Sequence, residues 1–210
     1  MKKLVEGHRH FLAEEFPKKR DKFHRLAEMQ APRWLFITCS DSRLVPDLFL
    51  QTDPGDLFII RNAGNVIPMD AEVDGVTATI EYAVEVLKVR HAIVCGHSDC
   101  GAVKAALDKE KLVNLPKANQ WLRHVEEAFA YGAEHLESTN DEAGLTSFIH
   151  ANVIAQMENL RSQPSVERAV AEGRLSIHGW FYDILSGEIE EYSRQDRRFV
   201  RLEELKTIEI

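Results

Sequence analysis

An α/β fold built on a parallel sheet follows from three observations. Three short runs rich in aromatic and β-branched residues, WLFIT at 34–38, DLFII at 56–60 and HAIVCG at 91–96, read as strands buried on both faces. A helical stripe separates the second run from the third and a long helical stretch follows the third, the alternation that crossover connections produce. Near the C-terminus, LSIHGWFYDILSGEIEEYS sets two extended runs about a Ser-Gly turn, which predicts a hairpin.

Each element has its own signal. Leu4, Val5, His8, Phe11 and Leu12, then Phe23, Leu26 and Ala27, recur at three- and four-residue steps and predict N-terminal helices. Pro17 divides them, because it lacks the N–H that a continuing helix needs. The turn signal DPG at 53–55 launches the second strand. Val76, Ile80, Ala83, Val84 and Leu87 form the helical stripe of residues 73–89. After Gly101 the segments AVKAALDKE, PKANQWLRHVEEAFA and NDEAGLTSFIHANVIAQMENL are helical, and PSVERAVAEG has Pro164 where a helix starts and Gly173 where it ends. KKRDK at 18–22 reads as a solvated helix face. The acidic segments EIEEY and RLEELKTIEI read as surface, with LEELKTI available to pack an edge.

No repeat or Pro/Gly/Ser-rich linker divides the 210 residues, so a single domain over 1–210 is expected. A net charge of −8 argues against a broad nucleic-acid surface. No apolar run approaches the ~20 residues of a membrane helix. The N-terminus lacks the apolar stretch of a signal peptide, so a cytoplasmic protein without membrane contact is expected.

The three cysteines, Cys39, Cys95 and Cys100, cannot all pair with one another, which favours metal binding, catalysis or buried thiols over disulfides. Cys95 lies inside an apolar strand and reads as a small core residue. Cys39 and Asp41 follow the end of the first strand; His97 and Cys100 follow the end of the third. In an open parallel sheet, ligands gather outside the carboxyl ends of the strands. Alternation in extended chain would set Cys39, Asp41 and Arg43 on one side. Two thiolates, one imidazole and a nearby carboxylate suit zinc, with one tetrahedral position left for water in a catalytic site. Arg43 can hold the Asp41 carboxylate in a two-pronged pair. Asp41 would then stay off the metal, or become a fourth ligand in a closed state if the pair broke. The remaining histidines, including the HxH of His8 and His10, read as surface or packing residues, since i and i+2 on a helix point apart.

At these residues the chain resembles the β-class carbonic anhydrases. The shared stretches are CSDSR at 39–43, PGDLFIIRNAGN at 54–65, GHSDCGAV at 96–103, IEYAV at 80–84 and HGWFYDILSGEI at 178–189. The resemblance implies a zinc lyase that hydrates carbon dioxide reversibly to bicarbonate and a proton through zinc-bound hydroxide. It implies zinc ligands Cys39, His97 and Cys100, with Asp41 and Arg43 as a dyad. With Ala63 and Val66, Phe58 and Tyr82 would form an apolar wall for an uncharged, linear substrate; Gln30, Phe58 and Tyr82 match the glutamine, aromatic and tyrosine that family sites set around the carbon dioxide pocket. These positions resemble the plant-type branch. The tryptophan that a second branch uses in a bicarbonate pocket is replaced here by Phe36, with Trp34 displaced from it, and Ala63 and Gly64 depart from the usual RNVAN. The family fold is a mostly parallel sheet flanked by helices, with an N-terminal arm, here residues 1–30, that embraces a second subunit. A homodimer or a dimer of dimers is therefore expected, with active sites at the interface. Two alternatives share parts of this pattern: a hydrolase of carbonyl sulfide or carbon disulfide, and a zinc-containing sensor without turnover.

Overall fold

In the computed structural model, residues 1–69, 73–134 and 144–204 are described. Six strands make one sheet: β1 (Trp34–Cys39), β2 (Leu57–Asn62), β3 (His91–His97), β4 (Ser176–Tyr182), β5 (Ile189–Ser193) and β6 (Arg198–Arg201), in the spatial order β2-β1-β3-β4-β5-β6. The first four run parallel, and β4, β5 and β6 form an antiparallel meander. The predicted strands and the C-terminal hairpin are present.

β6 adds to the sequence reading, which leaves residues 194–200 unassigned between the hairpin and the acidic tail. An antiparallel edge strand needs only one apolar face. Tyr192 of β5 and Phe199 of β6 sit opposite each other with rings 5.5 Å apart and supply that face. The charges around them, such as the Arg201–Glu188 pair, point to solvent and hide the strand in the composition. LEELKTI lies mostly outside the described residues.

The described residues form eight helices, of which the last six flank the sheet: α1 (Lys2–His10), α2 (Arg20–Glu28), α3 (Pro46–Phe49), α4 (Gly75–Glu85), α5 (Gly101–Leu107), α6 (Pro116–Glu134), α7 (Leu145–Arg161) and α8 (Pro164–Ala171). Handedness distributes them. From β1 the chain steps one way to β2 through α3. It then steps the other way to β3 through α4, and onward to β4 through α5 to α8. Right-handed crossovers therefore place α3 on one face and α4 to α8 on the other. Asp74 starts α4 with a capping box: its carboxylate accepts from the N–H groups of Val76 and Thr77 at 2.7 and 2.8 Å.

The two faces are unequal. On the helical face Leu35, Ile37, Ala92 and Val94 pack with Ile80, Val84, Met157 and Leu160. On the other, Phe36, Ile93 and Cys95 find cover off the sheet in Phe49 and Leu50. Burial pushes the Cys95 thiol up to about 12, the behaviour of an inert core cysteine. Toward the start of the strands this second face is only half-buried at Trp34, His91 and His178. There His91 Nδ1 meets His178 Nε2 at 3.3 Å, and His178 Nδ1 meets Glu191 at 2.7 Å.

Residues 1–28 stand apart from both cores. No residue of α1 or α2 is buried. Their break is where Pro17 predicts it, with the π turn Phe11–Glu15 before it and the 3-10 turn Pro17–Lys19 at it. Phe11, Phe16 and Phe23 cluster at the bend with centroids 5.2–6.0 Å apart. The segment is tied to the DPG turn by Lys19 and Lys22, which pair with Asp53. Leu26 also lies against Gly55, where a Cβ would come within 2.4 Å of its methyl group. Among the described residues, no helix is long and apolar enough to cross a membrane.

Candidate metal centre

β1 and β3 are neighbours whose outgoing connections leave in opposite directions, and the crevice between their carboxyl ends is the sheet's switch point. Cys39 is the last residue of β1, His97 the last of β3, and Cys100 the residue that caps α5. Their donor atoms lie within 4.8 Å of one another, and all three residues are buried. The two sulfurs are 4.0 Å apart, close to the ~3.8 Å that zinc–sulfur bonds of ~2.3 Å require in a tetrahedron.

Protonation supports the same reading. His97 Nδ1 donates to the Ser98 carbonyl at 2.9 Å, which leaves Nε2 with its lone pair. That nitrogen is buried and has no hydrogen-bond partner. An unpaired buried polar atom costs ~1–3 kcal/mol, a cost that a bound cation removes. The Cys39 thiol is lowered to about 4, chiefly by the hydrogen it accepts from Cys100, with help from the Gly64 N–H against the opposing effect of burial. The Cys100 thiol is pushed up, first by donating that hydrogen and then by burial. The pair thus carries one negative charge readily, and the second needs a cation beside it.

Arg43 and Asp41 form the expected pair: Nε donates to Oδ1 at 2.9 Å and Nη2 to Oδ2 at 2.7 Å. These bonds are the main reason the Asp41 carboxyl sits well below the usual carboxylate range. Asp41 Oδ2 is 3.9 Å from His97 Nε2, at the rim of the donor cluster. Strand alternation does not produce this convergence, as the sequence reading supposed, because β1 ends at Cys39. A turn does it: Asp41 Oδ1 accepts from the Arg43 N–H at 3.0 Å, and the Asp41 carbonyl accepts from Leu44 at 3.1 Å.

The carbonic anhydrase family model matches residues 34–189, from the first residue of β1 to the first of β5. This chain belongs to the carbonic anhydrase family. A carbonic anhydrase of Pseudomonas aeruginosa is 47% identical over 205 residues, covering 97% of this chain and 93% of its own length. Among solved structures, the β-carbonic anhydrase CcaA is 40% identical with a TM-score of 0.87, over 96% of this chain and 98% of that one. One of two tetrameric β-carbonic anhydrases of Sordaria macrospora is 32% identical with a TM-score of 0.76, over 90% and 94%. These likenesses place the chain in the β class, and membership makes it a lyase.

Several residues of this carbonic anhydrase's centre escape the sequence reading. Arg61 donates to the carbonyls of Cys39 and Asp41 at 3.1 and 2.7 Å and pins the turn between them. The Gly64 N–H points at Cys39 Sγ from 3.5 Å, in a backbone with φ +82° that suits glycine. The loop carrying Gly64 is held by amides from α7. Asn152 donates to the Gly64 carbonyl at 3.0 Å, Gln156 accepts from the Ile67 N–H at 2.7 Å, and Asn159 donates to the Ile67 carbonyl at 3.0 Å. Their spacing of four and three residues, on the buried face of a helix, is the signal that could have revealed them. Ser98 donates to Asp183 at 2.8 Å and so fastens the loop between His97 and Cys100 to the β4–β5 turn.

The expected pocket residues divide into two groups. Val66 is buried in the cluster that contains Cys39 and Cys100. Ala63 is exposed, and its carbonyl accepts from Trp121 Nε1 at 2.9 Å. Phe58, by contrast, pairs with Leu35, four residues up the sheet from the Cys39–Asn62 pairing, or ~13 Å along the strand. Tyr82 packs on Phe58 with centroids 6.1 Å apart. Gln30 is exposed in the segment that leads into β1. These three stand toward the opposite end of the strands from the metal ligands of their own chain.

Proposed function

We propose that this chain catalyses the reversible hydration of carbon dioxide to bicarbonate and a proton, with zinc held by Cys39, His97 and Cys100. The observation that carries the reading is the buried S–N–S donor set with the partnerless His97 Nε2 at its centre. Two thiolates and an imidazole favour zinc over harder cations, and among the described residues no fourth side chain joins the set, which matches an open site. Zinc supplies one thing when bound: a water acidic enough to lose its proton near neutral pH.

The chain's own groups do the rest. Ser98 fixes the His97 tautomer through its carbonyl. Arg43 keeps the Asp41 carboxylate ionised and occupied, beside the ligands but not among them. In that state Asp41 accepts a hydrogen from the attacking water and turns its lone pair toward the substrate. Val66 and the Ala63 methyl group give an uncharged linear substrate an apolar wall.

Gln30, Phe58 and Tyr82 complete the pocket across a homodimer, each chain serving its partner's metal. Three features support this: their place at the far end of the strands, the half-buried face around Trp34, His91 and His178, and a segment 1–28 without a buried residue in α1 or α2. Residues 1–30 act as the arm of a single domain spanning 1–210, and the relative from Sordaria macrospora is tetrameric. In the partner's site Gln30 donates to a carbon dioxide oxygen as it gains negative charge.

Stopped-flow hydration with a pH indicator tests the reading. One zinc per chain and a rate that chelation removes and zinc restores are expected. Full zinc occupancy with no acceleration over buffer would overturn the proposal, as would protein that binds no stoichiometric metal.

A further inference from the structure

The guanidinium of Arg43 has a second carboxylate partner. Beyond its fork to Asp41, Nη1 donates to Asp99 Oδ2 at 3.1 Å, and Nη2 also donates to the Asp99 carbonyl at 3.2 Å. The other Asp99 oxygen is held by Lys104 of α5. Asp99 lies between His97 and Cys100, in a left-handed backbone with φ +59°, a conformation that Asp and Asn tolerate better than other non-glycine residues. The loop that bears two donor residues therefore also grips the far side of the arginine.

Exposure shows why the second grip matters. Arg43 is 43% exposed at its side chain, and a single exposed ion pair holds only weakly. A lone fork on a long, solvated side chain would release Asp41 for an appreciable fraction of the time. Two carboxylates on different edges of the planar group bind it without competing for the same N–H.

We propose that Asp99 is a positioning residue for the reaction: it holds Arg43 on Asp41 and so keeps Asp41 from closing the metal site. The proposal rests on the zinc-dependent reading above. It predicts that Arg43 is mobile without the Asp99 carboxylate even when fold and zinc are intact.

The test compares zinc-loaded wild type with Asp99→Ala, Asp99→Gly, Asp99→Asn and Lys104→Met. Ala and Gly both remove the acceptor. Gly relaxes the left-handed backbone and Ala does not, so a loss common to both isolates the side chain. Hydration should fall about ten-fold in kcat per bound zinc in both, with KM little changed. Asn keeps an acceptor for Nη1 and should recover most of the rate. The readout independent of turnover is the Arg43 Nε–Hε resonance. It should be sharp and protected in wild type and Asn, and averaged by fast guanidinium rotation in Ala and Gly. Lys104→Met should stay within about two-fold of wild type, because Lys104 holds the other Asp99 oxygen and leaves the one that Arg43 Nη1 uses in place.

An unchanged Arg43 resonance in Ala and Gly would overturn the proposal. So would a rate loss explained wholly by lost zinc, or an equal loss in Lys104→Met. If wild type itself shows no zinc-dependent hydration, it is the reading of the site that fails, a result distinct from wild-type activity with insensitive Asp99 variants.

Discussion

The two ends of the parallel strands differ in how far one chain can finish them. At the carboxyl end, Cys39, His97 and Cys100 are buried, and the groups around them come from β2, α7 and the β4–β5 turn of the same chain. At the amino end, Phe58 and Tyr82 make a partial wall with 45% of Tyr82 exposed, and Gln30 sits in solvent. Metal ligation demands donor atoms within a few ångströms and dry surroundings, which intrachain packing provides. A pocket for a small apolar substrate can be made from two surfaces that meet.

Losing a donor at the carboxyl end should have the largest effect. Cys39→Ser replaces a thiolate with a poor ligand, and zinc content and hydration should both fall to background, at least about a ten-thousandfold loss of rate. Metal analysis beside stopped-flow kinetics checks it. Retained zinc and rate would show that the carboxyl end is not the centre. Arg43→Ala comes next. Asp41 is then free to reach the metal, and the rate should fall about a thousandfold, or ~4 kcal/mol, while zinc stays bound. Full activity in that variant would remove the dyad from the mechanism.

His150 tests how dry the carboxyl end is. It lies on α7 between Phe199, stacked at 3.9 Å, and Phe181, edge-on at 4.7 Å. Burial lowers its pKa to about 4 from the ordinary 6.5. Above pH 6.5 neither the folded nor the unfolded state carries the proton. Between 6.5 and 4 the unfolded chain takes it up and the folded chain does not, so stability falls as pH drops, by up to ~3 kcal/mol, and then levels off. His150→Phe should flatten that slope in urea titrations between pH 4.5 and 7.5. Glu190, 3.8 Å from Nε2, remains in both proteins. An unaltered slope would mean that water reaches this packing.

The smallest effect belongs to the amino end. Gln30→Ala should lower kcat about ten-fold, ~1.4 kcal/mol, with zinc unchanged. Mixed dimers sharpen the comparison. A Gln30→Ala chain paired with a Cys39→Ser chain should regain one intact site, since the first supplies the metal and the second supplies the glutamine. Mixtures no more active than the parents would place Gln30 outside the partner's pocket.

Much of the carboxyl end was legible in the sequence because its signals are local. Cys-x-Asp-x-Arg and His-x-x-Cys are chemically unusual, and each follows an apolar run that can only be a strand. The supports were not legible. Arg61, Gly64 and the α7 amides act across as many as 92 residues of chain, as in the Asn159–Ile67 bond, and none has a chemically distinctive neighbourhood. β6 was hidden for a related reason, since the packing of Phe199 on Tyr192 and His150 depends on which residues it faces.

By itself the sequence determined five of the six strands, the helical stripes, the break at Pro17 and the five residues, Cys39, Asp41, Arg43, His97 and Cys100, whose chemistry implies a metal and its guard. These rest on periodicity and side-chain type, properties that need no knowledge of distant contacts. The tertiary structure decided that an Asp41 turn, and not strand alternation, brings Arg43 home. It also decided that the helices of the crossovers crowd one face, and that Gln30, Phe58 and Tyr82 lie a strand's length from their own metal ligands. Register and crossover handedness fix these relations, and both are set only when separated segments meet.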